Sequence, residues 1–167
     1  MNLERRGVMD STIHSSIISA LERAPSIIIP LIFDMPEAFR KRRPAPAKWS
    51  AHEHACHLAE VHPLAFERLR LMLENDHPTI QPYNPEQAHS PDALLSVDLD
   101  EALSRFKNDR SNLVSRLREL RPDDWERTAD HPEYNGYSVF ILFRHFVLHD
   151  MFHAYRIEEL ALNKDWK

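Results

Sequence analysis

The sequence predicts a single all-α domain folded as a four-helix bundle. Apolar residues recur every three or four positions over long segments, as in helices that bury one face. No convincing alternation of apolar and polar residues, typical of strands, and no internal repeat is found. A chain of 167 residues can also bury a substantial core without staples. We expect one domain over residues 10–162, with a flexible polar N-terminus at 1–9 and a tail at 163–167.

The first helix is predicted to begin near Asp10 or Ser11 and to run toward Phe33. Pro25 and Pro30 lie inside this segment. Interior prolines remove backbone donors and kink helices, so we expect this helix to be bent or split.

The second helix is predicted to begin at Ser50, after an extended linker at 40–46. The charged residues of this linker are expected to be solvated, and anion binding is the alternative. Ser50 and Glu53 have the spacing of a capping box, in which each side chain bonds to the other residue's backbone amide. The helix is expected to end near Asn75, and its apolar stripe consists of Leu58, Val61, Ala65, Leu69 and Met72.

Residues 76–97 contain four prolines and predict a long crossover between helices 2 and 3. Loops of this length are uncommon without a function. The third helix is expected from near Asp98 to Pro122, and the fourth from near Ser138 to about Leu162. The stretch between these two helices is predicted to be irregular.

Composition argues against several classes of function. A net charge of −5 with interleaved signs gives no broad positive surface for nucleic acid. The two glycines, Gly7 and Gly136, exclude the Gly-rich turns of Walker and Rossmann nucleotide sites. The lone Cys56 and the absence of a leader pattern predict a cytoplasmic protein. The most apolar run, at 27–33, is far shorter than the ~20 residues of a membrane span, so no membrane segment is expected.

The last predicted helix contains the clearest chemical signal. His149 and His153 are four residues apart, so both imidazoles lie on one face of the helix and form half of a metal site. Chance predicts about 0.7 such pairs in this chain, whereas two occur, His145/His149 and His149/His153. Both pairs lie among apolar residues, where an imidazole without a partner costs free energy.

A third ligand has to come from another helix, and residues 48–58 offer several candidates. With His57, the pair would provide three imidazoles and leave one coordination position open, as in catalytic zinc sites. Cys56 points ~100° away from His57 around the helix and is expected to be a small buried residue.

Four features occur in a fixed order within residues 10–162: Lys48-Trp49-Ser50-x-x-Glu53-x-x-x-His57-Leu58, the helix bearing Arg110, Asp124-Trp125, and His149-Asp150-x-x-His153-x-x-x-Ile157. In this order they resemble the DinB/YfiT-like metalloprotein family. The resemblance implies a four-helix bundle of unusual connectivity, a divalent metal held by His57, His149 and His153, and a homodimer. Activities known in the family include S-transfer with low-molecular-weight thiols such as bacillithiol or mycothiol, and thiol-dependent maleylpyruvate isomerisation; many members are uncharacterised hydrolases.

Extra histidines leave the ligand set open: His52, His54, His62 and His145. Three consecutive ligands on one straight helix would fan by about 80°, which favours His149 and His153 over His145. Glu53 is expected to act as a cap, with orientation of a metal-bound water as the alternative. Asp150 is expected either to accept from a ligand's N–H or to form an exposed salt bridge. Trp49, Trp125 and Tyr155 either line a pocket or pack.

The leading hypothesis is a metal-dependent enzyme whose ion activates water for hydrolysis of a small-molecule substrate, or a low-molecular-weight thiol for S-transfer. Zinc is favoured, although nickel, manganese or iron could bind the same nitrogens. The alternatives are a non-catalytic, metal-stabilised small-molecule-binding or stress-response module, a plain bundle with structural histidines, and an iron oxygenase in which Glu53 replaces His57.

Overall fold

A computed structural model of the protein describes residues 3–83, 90 and 92–164. The elements follow in the order α1 (Leu3–Asp34), α2 (Glu37–Arg40), α3 (Ala51–Glu60), α4 (His62–Glu74), a 3₁₀-helix (Ala93–Ser96), α5 (Leu99–Arg118), α6 (Pro122–Trp125), β1 (Thr128–His131), β2 (Tyr134–Ser138) and α7 (Val139–Ala161). The bundle consists of α1, the consecutive helices α3 and α4, α5 and α7, which confirms the predicted four-helix architecture.

Helix α1 is one continuous helix despite Pro25 and Pro30. It begins at Leu3, ahead of the predicted start near Asp10, and it is not split. Pro25 has no N–H to donate to the carbonyl of Leu21 one turn earlier. Nη1 of Arg110 donates to that carbonyl instead, at 3.0 Å, so a side chain of α5 replaces the hydrogen bond that the proline removes.

Within the described residues, one helical segment, Thr12–Asp34 of α1, is long and apolar enough to cross a membrane. It is longer than the apolar run at 27–33 on which the sequence prediction rested. Core helices of soluble proteins also have this length and composition. Leu21, Ile28 and Ile32 of this segment are buried, and 33% of its most apolar window is buried.

The second predicted helix is in fact two helices, because the chain breaks at Val61. Pro63 lies in the first turn of α4, where a backbone N–H has no partner within the helix and is not needed. Inside a continuous helix its ring would clash with the carbonyl of Ala59. The prediction of one helix was therefore wrong, and Pro63 was the signal for the break. The capping box is confirmed, since Ser50 Oγ accepts from Glu53 N at 3.3 Å and Glu53 Oε2 accepts from Ser50 N at 2.8 Å.

A β-hairpin occupies part of the stretch predicted to be irregular, where no strand was expected. Strands β1 and β2 have four and five residues and pair antiparallel, with a register shift between Ala129 and His131. Gly136 has a φ of +68°, a left-handed conformation that glycine adopts without steric cost. Ile80 N donates to Asp130 O at 2.8 Å, which joins the crossover to β1. Strands this short give little alternation to detect.

Two apolar clusters fill the bundle. One includes Leu69, Leu113 and Phe143, and the other includes Ile28, Leu58, Phe106 and Ile157. The Arg110 guanidinium lies 5.0 Å from the ring centre of Phe106 and 5.2 Å from that of Phe146, a residue of the first cluster. A buried charge thus connects the two apolar regions, next to the helices that carry the histidines.

Candidate metal centre

Helices α3 and α7 bring the three predicted histidines together. Nε2 of His149 lies 3.1 Å from Nε2 of His57 and 3.1 Å from Nε2 of His153. One nitrogen from each residue lies within 4.8 Å of the other two. His149 and His153 are adjacent on α7 because they are one turn apart, and the packing of α3 against α7 adds His57.

The spacing of these nitrogens fits a cation. Each neutral imidazole nitrogen offers either one proton or one lone pair, so Nε2 of His149 can satisfy only one of its two neighbours. A tetrahedral ion at ~2.0–2.1 Å from each nitrogen would separate its ligand atoms by about 3.3–3.4 Å. The observed separations are close to that value.

Burial keeps these imidazoles in the form that a metal binds. Together with the weaker effect of the Arg110 charge, it lowers the pKa of His149 to about 4. Burial also lowers the pKa of His153, with added effects from His149, His57 and His54. Neutral imidazoles have the lone pairs that metal ligation requires, without losing a proton first.

His54 contacts the site without joining it. Its Nδ1 lies 2.8 Å from Nδ1 of His153, so one of the two nitrogens donates a proton to the other. If His153 offers its Nε2 lone pair to a metal, its Nδ1 carries the proton and donates to His54. In that arrangement His54 would fix the tautomer and ring orientation of His153, the role that outer groups have around metal ligands.

Glu53, a predicted auxiliary carboxylate, is bound by its neighbours. It caps α3 and also accepts from Nε of Arg43 at 2.9 Å. Burial raises the pKa of Glu53, whereas hydrogen bonds from Arg43 and Ser50 lower it. The hydrogen bonds together outweigh burial, so the pKa of Glu53 is below its usual value. Nη1 of Arg43 also donates to Asp92 at 2.9 Å. The charge run at 40–46 is therefore not wholly solvated, because Arg43 is held in two ion pairs.

The salt bridge expected at Asp150 exists, but it is buried rather than exposed. Asp150 is 3% exposed and Arg110 is 1% exposed. Nη2 of Arg110 donates to Oδ1 of Asp150 at 3.0 Å, and Nη1 donates to Oδ2. Burial raises the pKa of the Asp150 carboxyl, and the guanidinium opposes that shift.

Two cavities border the three-histidine group, the larger lined by all three histidines and the smaller by His149. The larger, of about 720 Å³, is lined by residues that include Lys48, Trp49, Phe152 and Arg156. The smaller, of about 260 Å³, is lined by residues that include Arg68, Tyr134, Tyr137 and His145. Tyr83 and His149 line both cavities. The three-histidine group is therefore accessible to a small molecule.

The other aromatic residues singled out in the sequence, and Cys56, lie in three places: at the site, in the core and on the surface. Trp49 lines the larger cavity, with its ring centre 4.9 Å from that of His57. Trp125 is buried and stacks on His14 at 4.4 Å, so it packs the core. Tyr155 is exposed and is not among the cavity-lining residues. Cys56 is buried as predicted, and burial raises the pKa of its thiol to about 12.

The remaining extra histidines have other partners. His145 lies beside Tyr134, with ring centres 5.3 Å apart, and outside the three-histidine group. His52 Nε2 contacts Leu94 O at 3.1 Å, and His62 Nε2 accepts from Arg110 Nε at 3.1 Å.

Sequence reasoning missed Arg68 and Tyr83 as cavity residues. Arg68 is one of several arginines on helices, and Tyr83 lies in the crossover between predicted elements. No local pattern distinguishes either residue, because only the packing of the crossover and the hairpin against α4 and α7 creates the cavity.

The fold and site define an all-α bundle with a three-histidine group on two facing helices. The chain belongs to the DinB superfamily, whose family model matches residues 20–157. This finding confirms the predicted family.

Similar proteins are named as metal-dependent. A protein of Oceanobacillus iheyensis named "Putative metal-dependent hydrolase" is 27% identical over 161 residues, which cover 96% of this chain and 92% of the relative. A Bacillus mycoides protein with the same description is 26% identical over 164 residues, with the same two coverages. The solved structure of YfiT from Bacillus subtilis, described as a "probable metal-dependent hydrolase with an unusual four-helix bundle topology", has a TM-score of 0.82 and 21% identity over 92% of this chain and 89% of YfiT. This structure shares the fold.

Proposed function

We propose that the protein is a metal-dependent hydrolase in which His57, His149 and His153 hold one divalent cation, with zinc as the first candidate. The approach of one nitrogen from each histidine to within 4.8 Å carries this proposal. An ion bound by three protein ligands keeps an open position, polarises a substrate carbonyl and lowers the pKa of a bound water toward ~7. The names of the similar proteins support the same class of reaction.

The chain's own side chains prepare the site for such an ion. His54 orients His153, and the Arg110–Asp150 ion pair anchors α7 at the residue that follows His149. Glu53 and Asp150 are each held by an arginine, so neither is available as a general base. We therefore expect coordination, rather than a side-chain carboxylate, to ionise the attacking nucleophile.

S-transfer with a low-molecular-weight thiol is the second candidate. The larger cavity favours it, because about 720 Å³ can hold a cosubstrate, and Lys48 lines this cavity together with Arg156, which is paired with Glu159. A thiol would occupy the same open position as water. Nickel, manganese or iron could serve in place of zinc.

The metal proposal is tested by elemental analysis of protein purified without added metal, followed by anomalous scattering from its crystals. We expect one divalent ion per chain bound to His57, His149 and His153. His149→Ala and His153→Ala should weaken metal affinity by more than the ~10–100-fold typical of outer-shell substitutions. His145→Ala, one turn before His149, is the matched control and should leave affinity unchanged. Stoichiometric metal retained by His149→Ala and His153→Ala would contradict the proposal.

The reaction class is tested with two assay panels on the metal-loaded protein. Turnover of esters or amides without added thiol would support hydrolysis. Turnover of electrophiles only in the presence of bacillithiol or another small thiol would support S-transfer instead. Saturable ligand binding with no turnover in either panel would favour a non-catalytic binding module.

A further inference from the structure

The smaller cavity beside the histidines contains a cationic side chain that pairs with no carboxylate among the residues that the structure describes. Arg68, on α4, lines this cavity together with His149. Among the residues that the structure describes, no carboxylate lies within ion-pair distance of the Arg68 guanidinium, whereas Arg43 and Arg110 are each bound to a buried carboxylate. Glu133, which also lines the cavity, is exposed and forms no ion pair with Arg68.

The hydrogen bonds of Arg68 leave part of its donor capacity unused. Nη2 donates to Gln81 O at 2.9 Å, and Nη1 donates to the hydroxyl of Tyr137 at a long 3.4 Å. Nε is buried and has no hydrogen-bond partner within the described part of the chain. Nη1 and Nη2 each carry a second N–H that makes no hydrogen bond within the described residues, and the two oxygens of a carboxylate could accept from these groups.

The rest of the cavity is mostly aromatic and neutral. The rings of Tyr134 and Tyr137 are nearly parallel, at 14°, with centres 6.2 Å apart, and Tyr83 lines the same space. Burial lowers the pKa of His131 and of His145, which favours their uncharged forms. Tyr137 is only 2% exposed, so the accessible aromatic walls are mainly Tyr83 and the half-exposed Tyr134. Arg68 therefore supplies the positive charge of a cavity whose aromatic walls suit a flat group.

We propose that Arg68 binds the carboxylate of the substrate, while the tyrosines hold a planar group that carries it. The substrate class is thus an aromatic or similarly planar organic carboxylate that extends from the smaller cavity to the histidines. The planar fork of arginine matches the two oxygens of a carboxylate, whereas a phosphate dianion would find a single cation here. A volume of about 260 Å³ is below the ~300–1,000 Å³ of a complete ligand site, so the cavity holds one end of the substrate.

This inference rests on the proposed function for the reaction, but the binding of the carboxylate can be measured separately. The probes are benzoate and its neutral analogue benzamide, titrated into the purified full-length protein by calorimetry or NMR. Arg68→Met should weaken benzoate binding at least tenfold and leave benzamide binding unchanged. Arg68→Lys, which keeps the charge but not the fork, should weaken benzoate binding by a smaller factor. Arg70→Met is the matched control, because Arg70 is exposed on the same helix and paired with Glu67 and Glu74.

Several outcomes would overturn the inference. One is equal benzoate affinity in the wild type and in both Arg68 variants. Another is loss of benzoate binding in His153→Ala with full binding in Arg68→Met, since the probe would then bind the metal. Tighter, Arg68-dependent binding of phenyl phosphate would assign the cavity to phosphate. Failure to find any metal would overturn the proposed function but would leave Arg68-dependent benzoate binding intact, so the two failures are distinguishable.

Discussion

At the scale of single residues, Arg110 shows how this bundle accommodates a buried charge. Its guanidinium donates to Asp150, to the carbonyl of Leu21 and to His62, and it lies against two phenylalanine rings. These contacts provide the acceptors and the counter-charge that a desolvated guanidinium needs. Asp150 adjoins His149 in the chain, so the ion pair also supports the candidate metal centre.

Removing one partner of this ion pair should strongly destabilise the fold. Arg110→Met leaves Asp150 buried without a counter-charge, and we expect the free energy of unfolding to fall by ~3–5 kcal/mol. Urea denaturation of the metal-free protein measures this change in the free energy of unfolding. Arg118→Met is the control, since Arg118 forms an exposed pair with Glu22 and such pairs contribute only ~0–1 kcal/mol. Equal losses in the two variants would disagree with this account.

His62 should make stability depend on pH. Burial and then the charge of Arg110 lower its pKa to about 3, from ~6.5 in the unfolded chain. Between these values the unfolded state binds a proton that the native state does not, so stability falls as pH decreases below ~6.5, by up to ~1.4 kcal/mol per unit. His62→Gln keeps an acceptor for Arg110 but does not titrate. Urea unfolding at pH 7 and pH 5 should show a smaller loss in this variant, and equal losses would refute the assignment.

At the scale of the elements, interactions between residues close in sequence determine where helix α3 begins and ends. Ser50 and Glu53 form the cap that begins it, and Pro63 prevents its continuation into α4. His54 and His57 lie in the second turn between these two signals. The positions of two site histidines therefore depend on a cap that the sequence encodes within four residues.

Loss of this cap should destabilise the protein measurably. Ser50→Ala removes the acceptor for Glu53 N and the donor to Glu53 Oε2, so we expect a loss of ~1–2 kcal/mol. Thermal or urea unfolding measures the change. Ser16→Ala, at an exposed position inside α1, is the control and should change stability by less than ~0.5 kcal/mol. An unchanged midpoint for Ser50→Ala would show that the Ser50 hydroxyl adds nothing to the hold that Arg43 and the backbone N–H of Ser50 have on Glu53.

At the scale of the whole molecule, helix α7 has one face in the core and another exposed to solvent. The exposed face is an apolar stripe at helical spacing, with exposed fractions of 55% for Leu148, 58% for Met151, 57% for Phe152 and 65% for Tyr155. An exposed apolar surface of this kind is typical of an interaction site. The homodimer implied by the family resemblance is a prediction for which this stripe is the expected interface.

The dimer prediction can be tested by light scattering coupled to size-exclusion chromatography. The wild type should have twice the mass of the 19.6 kDa chain. Met151→Glu places a charge in the stripe, where desolvation would be costly, and should give a monomer. Lys107→Glu, on the exposed surface of α5, should leave the mass unchanged. A monomeric wild type would reject the predicted homodimer.

The sequence by itself determined those features that depend on neighbours within a turn or two. Helical periodicity predicted the bundle, the Ser50 cap predicted the start of α3, and the His149/His153 spacing predicted two adjacent imidazoles. Pro63 carries equally local information about the break between α3 and α4. Such features follow from the geometry of the helix backbone, which each short segment adopts largely by itself.

Only the tertiary structure decided which distant residues meet. His57 and His149 are 92 positions apart and become neighbours because α3 packs against α7. The buried ion pair of Asp150 with Arg110 and the position of Arg68 in a cavity likewise depend on contacts between separate helices and the crossover. Side chains of the same type look alike in the sequence. Packing determines which partners they meet. Arg110 forms a buried ion pair with Asp150, whereas Arg68 lines a cavity that can hold a ligand.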